Sequence, residues 1–168
     1  HFLLAPVQAS FTRDDDERWS GFGTPGISNN VNCSVVYDGQ VVIGGEFLLA
    51  GDTPVGYIAA WDGSTWQTLG GGLNNTVLAL CVYDGLLIAS GWFTEAGGVA
   101  ADRIAAWDGS TWSALGSGLN NGAAGLIEYG GDLIAGGWFT EAGGVPASRI
   151  ARWDGSSWYA LGAGADEQ

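Results

Sequence analysis

The chain has 168 residues, 46% of them apolar, enough for one or two domains with a packed core, which argues against a largely disordered polymer. Eighteen acids oppose five arginines, lysine is absent, and the net charge is −13. Such a chain repels phosphate backbones and anionic headgroups, which disfavours nucleic acid and membrane surfaces. No run approaches the roughly 18 apolar residues of a membrane-spanning helix.

The chain opens on HFLLAPVQAS. Val7-Gln8-Ala9 has the small-residue form of a secretory cleavage site, but no basic leader stands before it and the apolar run is short. The segment is therefore read as structure. Leu3, Ala5, Val7, Ala9 and Phe11 alternate with Gln8 and Ser10, while Phe2 and Leu4 make the beginning apolar on both sides. That period of two predicts a strand suited to addition at a sheet edge, with pairing inside its own chain as the alternative. Asp14 to Glu17 follow as DDDE. Their carboxylates suit Ca²⁺ but lack the spaced ligands and distal Glu of a dedicated loop. They read as a solvated turn that keeps wrong partners off an edge.

From Trp19 onward the sequence repeats. WDG begins at Trp61, Trp107 and Trp153, and Tyr37, Tyr83 and Tyr129 keep the same step of 46 residues. Three units align without gaps as 30–75, 76–121 and 122–167, and a period of this size marks stacked supersecondary units. Each unit predicts four short strands. SVVYDG or LALCVYDG turns through Asp-Gly into QVVIGG or LLIASG, and YIAAW or RIAAW meets STWQTLG or STWSALG across a second Asp-Gly. The linking FTEAGGV supplies glycine where positive φ is needed. No segment sustains a 3.6 period, so helix is nearly excluded.

An incomplete unit precedes these. Trp19-Ser-Gly-Phe22-Gly23 matches Trp66-Gln-Thr-Leu69-Gly70, with Asn29-Asn30 taken as the counterpart of Asn74-Asn75, and Val7 to Phe11 falls where a third strand would lie. Four strands per repeat of this length is the pattern of a β-propeller blade. The expected fold is all-β: three four-stranded antiparallel propeller-type blades of 46 residues plus an N-terminal half-blade. The expected organisation is an assembly segment over 1–18 and a repeat domain over 19–168.

Gly44-Gly45 followed by Trp61 and Trp66-Gln-Thr-Leu69 resembles the kelch layout, in which a double glycine ends the second strand and a tryptophan opens the fourth. Gly136-Gly137, Trp153 and Trp158 repeat it, while the second unit departs from it with Ser90-Gly91. The units also resemble the WDGSSWxxLGxG repeats of predicted secreted proteins from environmental bacteria. That resemblance covers roughly residues 19 to 167. It implies a propeller-like fold and an extracellular location, and no particular chemistry.

Of the nine tryptophans, Trp61, Trp66, Trp107, Trp112, Trp153 and Trp158 flank the Asp-Gly turns and are expected to fill the space between blades. Trp92 and Trp138 differ, because the first unit carries Glu46 in their place. A core position rarely exchanges tryptophan for glutamate, so this pair is a candidate for ligand contact, for subunit contact, or for plain surface. Cys33 and Cys81 lie on first strands of successive units and are a candidate disulfide, although their register sets them two residues apart in the repeat. Asn32 and Asn74 head acceptor sequons for glycosylation.

Nothing in the sequence points to catalysis, a cofactor or a metal. The single histidine is His1, and lysine is absent, which removes the usual general base, the Schiff-base nucleophile and a histidine metal site. Glu95 and Glu141 are repeat equivalents, whereas a glycosidase pair needs unlike surroundings. Propellers close with about four to eight blades, and open edges call for cover. The leading expectation is an extracellular structural subunit that joins copies of itself head to tail into a fibre, a homopolymer built through Phe2, Leu3, Leu4, Val7 and Phe11 and the open blade edges. The alternative is a secreted propeller that binds glycans.

Overall fold

A computed structural model describes residues 26–162. The assembly segment with Phe2, Leu3, Leu4, Val7 and Phe11, the acidic turn Asp14 to Glu17 and the Trp19 half-blade lie outside the described residues.

Among those residues the fold is all-β, and each 46-residue unit builds one four-stranded antiparallel sheet. In the first blade, β1 (Val31–Tyr37), β2 (Gln40–Gly45), β5 (Ile58–Trp61) and β6 (Trp66–Gln67) pair in that order. The second blade uses β7 (Val77–Tyr83), β8 (Leu86–Gly91), β11 (Ile104–Trp107) and β12 (Trp112–Ala114), and the third uses β13 (Ala123–Tyr129), β14 (Asp132–Gly137), β17 (Ile150–Trp153) and β18 (Trp158–Ala160). The first strands β1, β7 and β13 stand side by side, as blades do around a common axis. This is the propeller-type arrangement expected from the period.

The turn chemistry is as the sequence implied. Asp38 and Gly39 have φ of 48° and 73°, and Asp84 and Gly85 have 48° and 75°, the doubly left-handed turn whose twist matches a two-residue hairpin. The stretch read as a glycine-rich link carries more structure than expected. It forms a small hairpin in every unit: β3 (Leu49–Ala50) with β4 (Thr53–Pro54), β9 (Glu95–Ala96) with β10 (Val99–Ala100), and β15 (Glu141–Ala142) with β16 (Val145–Pro146). Bridges from Ile27, Leu73 and Leu119 to Ala50, Ala96 and Ala142 hold each hairpin to the segment that enters its blade.

That entry segment corrects one alignment. Asn74 Oδ1 accepts the backbone N–H groups of Thr94 and Glu95, and Asn120 does the same for Thr140 and Glu141. In the first unit Ser28 Oγ takes the N–H groups of Leu48 and Leu49. Ser28, not Asn29, is therefore the counterpart of Asn74. A serine hydroxyl and an asparagine carbonyl offer the same acceptor there, so identity of residue type misled the comparison.

Two seams join the blades. Val42, Ile58, Leu69 and Leu73 of the first blade pack with Leu87, Phe93, Trp107 and Trp112 of the second; Ile88, Ile104, Leu115 and Leu119 of the second pack with Leu133, Phe139, Trp153 and Trp158 of the third. Phe47, Phe93 and Phe139 are fully buried at the same repeat position, each worth about 1.5–3 kcal/mol of burial. The indole N–H of Trp112 donates to the Leu69 carbonyl at 2.9 Å, and that of Trp158 to the Leu115 carbonyl at 3.0 Å. The expected packing role of the turn tryptophans thus holds at both seams, with a tilted indole pair in each blade. Trp61 and Trp66 are only half-buried.

The double glycine also acquires a reason. A Cβ on Gly45, Gly91 or Gly137 would lie 2.0, 2.0 or 2.4 Å from the carbonyl oxygen of Asn30, Thr76 or Gly122, so only glycine lets the entry segment cross the second strand. The preceding position depends on the neighbouring blade. A Cβ on Gly44 would lie 2.5 Å from Val77, whereas the second seam puts Ala123 at the place of Val77. Ser90 fits there; its hydroxyl donates to the Arg103 carbonyl at 2.7 Å and accepts the Ala123 N–H at 3.2 Å. The one departure from the double-glycine pattern is a polar stitch between blades.

Candidate functional site

Trp92 and Trp138 each follow the close-crossing glycine of a second strand and precede a buried phenylalanine. Alternation along an extended chain sends Phe93 and Phe139 into the seams and turns the tryptophans outward. They are 36% and 47% exposed, and their rings stack on each other with centroids 5.5 Å apart and planes 28° from parallel. A repeat spacing of one unit has thus set two equivalent side chains from adjacent blades face to face.

The backbone beneath them is tightly held. The Trp92 N–H donates to the Thr76 carbonyl and the Trp138 N–H to the Gly122 carbonyl, both at 2.9 Å. The Arg103 guanidinium donates to the carbonyls of Trp92 and Phe93 at 2.8 and 3.1 Å. Asn121 Nδ2 reaches the Trp138 carbonyl at 3.5 Å. Gly122 makes room for the outer ring of Trp92, for a Cβ there would stand 3.3 Å from its Cζ3; the second unit carries Thr76 at this position. Glu46, exposed and within 3.4 Å of Asn30 Nδ2, continues the same row on the first blade. The result is an anchored aromatic ledge at the end of the blades where the first strands begin.

The two cysteines are not brought together. Both are free thiols; Cys33 packs in the first seam and Cys81 in the second. Equal strand parity points them the same way from successive blades, so the candidate disulfide is corrected to two separate, half-buried thiols. Burial pushes the Cys33 thiol up to about 12, and it also raises Cys81, with the Glu128 carboxylate adding to the effect. Asn32 Nδ2 donates to the Val77 carbonyl across the first seam, and Asn74 Nδ2 donates to Thr94 Oγ1. Both sequon amides therefore already hold parts of the fold together.

Three Asp-Gly loops repeat a further arrangement. Asp62, Asp108 and Asp154 each accept two backbone N–H groups and a serine hydroxyl from the two residues beyond the glycine. Those bonds, led by the Thr65 and Thr111 N–H groups in the first two blades and by the Ser156 N–H in the third, hold all three carboxyls well below the usual carboxylate range.

The outer side of the third blade departs from its sisters. Tyr83 is 6% exposed and donates to the Gly131 carbonyl of the next blade, whereas Tyr129 at the same place is 76% exposed. Arg152, standing where the sister blades bury Ala60 and Ala106, pairs with Asp132 at 2.9 Å and lies 4.4 Å above the Tyr159 ring.

The architecture and the repeated seams define a β-propeller-type repeat protein. A family model described as a beta-propeller domain of unknown function, DUF5122, matches residues 131–153, the stretch from the turn before β14 to the end of β17. Comparison with curated proteins and with solved structures gave no match.

Proposed function

We propose that the chain is a non-catalytic, extracellular carbohydrate-binding module of the propeller type, with Trp92 and Trp138 as its binding platform. One observation carries this reading: two outward tryptophans of adjacent blades stack into a ledge whose backbone is fixed by Arg103 and by the entry segments. An indole offers a flat apolar face and a polar edge, which suits the C–H face and hydroxyl rim of a sugar ring. The anchoring means that little side-chain and loop ordering remains to oppose binding. Glu95 and Glu141 sit in equivalent exposed places on their hairpins, which favours a binding role over acid–base chemistry. The extracellular location rests on the resemblance to repeats of secreted proteins.

Affinity electrophoresis in gels loaded with β-glucan, xylan, mannan or soluble chitin tests it. Retardation by at least one polymer is expected, and Trp92→Ala or Trp138→Ala should weaken it by about tenfold, the loss of roughly 1.4 kcal/mol. Mobility unchanged by every polymer, or retardation unchanged by both substitutions, contradicts the reading.

A second reading, head-to-tail association into a fibre, is favoured by the open side of the third blade. Ile127 and Tyr129 are exposed there at positions that the preceding blades present to a neighbour. Light scattering tests it: mass that grows with concentration, and that Tyr129→Glu abolishes, supports association, and a concentration-independent monomer removes it.

A further inference from the structure

The two seams are near copies, yet the first opens into a cleft of about 340 Å³ at the end of the blades opposite the tryptophan ledge. Its walls come from Tyr37, Asp38 and Gln40 around the first hairpin turn, Gln67 at the end of the fourth strand and Thr68 just after it, Ser110 in the Asp-Gly loop of the second blade, and Trp107. Tyr37 spans the seam by donating to the Trp107 carbonyl at 3.4 Å. The first strand has six residue steps at about 3.3 Å each, so the cleft lies roughly 20 Å from the ledge and shares none of its residues.

This cleft breaks the repeat where a ligand would be read. Gln40 is replaced by Leu86 in the second blade, Gln67 by Ser113 and Thr68 by Ala114. Leu86 packs into the second seam, while the half-buried Gln40 puts a carboxamide at the same place. Gln67 Nε2 donates to Asp62 Oδ2 at 2.6 Å, which orients its amide. Packing does not require these amides, since the second seam closes over the same tryptophans without them.

We infer that the cleft between the first and second blades is a second ligand site, for a sugar residue that carries no acidic group. The lining supplies two carboxamides, which donate and accept, hydroxyls, which do both, and the carboxylate of Asp38, which accepts. That set matches a row of hydroxyls, each of which donates one hydrogen bond and can accept two. Among the described residues, no cationic side chain lines the cleft. Burial, and then the carboxylates of Asp38 and Asp108, raise the Tyr37 hydroxyl above its ordinary value; the Asp38 carboxylate in the wall itself repels an anion. The volume falls in the range of small-molecule sites.

Side-chain amide and indole resonances of the full chain, titrated with hexamers of glucose, xylose, mannose and N-acetylglucosamine and with trigalacturonate, test it at millimolar concentration. At least one neutral hexamer should shift the Gln40 and Gln67 amides, and trigalacturonate should not. Gln40→Leu combined with Gln67→Ser installs the residues of the other seam and so keeps the packing; it should weaken the cleft response, followed in this variant at the Trp107 indole, at least tenfold while leaving the Trp92 and Trp138 shifts intact. Trp92→Ala should do the reverse, so loss of the ledge reading and loss of the cleft reading are told apart. Hexamers that shift only Trp92 and Trp138, a trigalacturonate response equal to the neutral one, or no shift of Gln40 or Gln67 with any hexamer overturns the proposal.

Discussion

The seam between the first and second blades and the seam between the second and third bury the same parts. Phe93 and Phe139, Leu87 and Leu133, and the Trp107–Trp112 and Trp153–Trp158 pairs occupy matching places in them. They differ where the repeat tolerates exchange: Gly44 faces Val77 in one, Ser90 faces Ala123 in the other, and Gln40 lines a cleft in one where Leu86 packs into the other. The lesson is that an apolar seam fixes the blade-to-blade geometry, and the positions it leaves undetermined are free to become specific. The first exchange conserves space, trading the two valine methyls against a serine hydroxymethyl group. The second exchanges packing for hydrogen-bonding capacity, which is why it, and not the first, carries the proposed site.

Removing a shared part should do the most damage. Trp112→Ala or Trp158→Ala leaves a large cavity and takes from the Leu69 or Leu115 carbonyl one of its two donors, the other being the Gly72 or Gly118 N–H, and each should cost about 3–5 kcal/mol by urea unfolding. Trp107 and Trp153, buried beside them, should behave alike.

Swapping the seams' own residues should cost less and reveal their coupling. Gly44→Ser puts a side chain against Val77 and should destabilise by about 1–3 kcal/mol; adding Val77→Ala, which copies the other seam, should recover part of that loss as a positive interaction in a double-mutant cycle. Strict additivity would show that the two positions do not meet. Ser90→Gly removes the acceptor of the Ala123 N–H and should cost about 1–2 kcal/mol.

The ledge should barely matter to stability. Trp92→Ala and Trp138→Ala remove partly exposed rings and should each cost about 1 kcal/mol or less, within the ordinary spread of surface changes plus one aromatic contact. A cost like that of Trp112 would make them core residues.

The smallest effect is one of pH. Asp62, Asp108 and Asp154 have folded values depressed below the ordinary 3.8. Their contribution is therefore complete above about pH 4 and is lost as the pH falls through the depressed values. Melting curves should shift downward below pH 4, and Asp108→Asn should flatten that slope. An equal slope in the variant would assign the acid sensitivity elsewhere.

Much of this was legible in the sequence because a fixed period translates directly into stacked units. The four strands, the Asp-Gly turns and the burial of Trp107 and Trp153 follow from alternation and turn chemistry. The exchange of Glu46 for Trp92 and Trp138 correctly flagged an outward position. The small hairpin of FTEAGG was not legible, since strands of two residues are shorter than any alternation pattern. The role of Ser28 was hidden because the repeat preserves an acceptor and not a residue type. The cleft was hidden because its walls come from two blades; setting Gln40 against Leu86 and Gln67 against Ser113 down the repeat columns was the available signal.

The central claim is that sugars bind on the tryptophan ledge and not on the buried tryptophans that resemble it in sequence. Indole ¹⁵N–H resonances separate the two groups within one sample. Titration with the polymer or hexamer that retards the protein should move the Trp92 and Trp138 signals together and leave Trp112 and Trp158, whose N–H groups are bonded inside the seams, in place. Saccharide binding with the Trp92 and Trp138 signals unmoved would contradict the account.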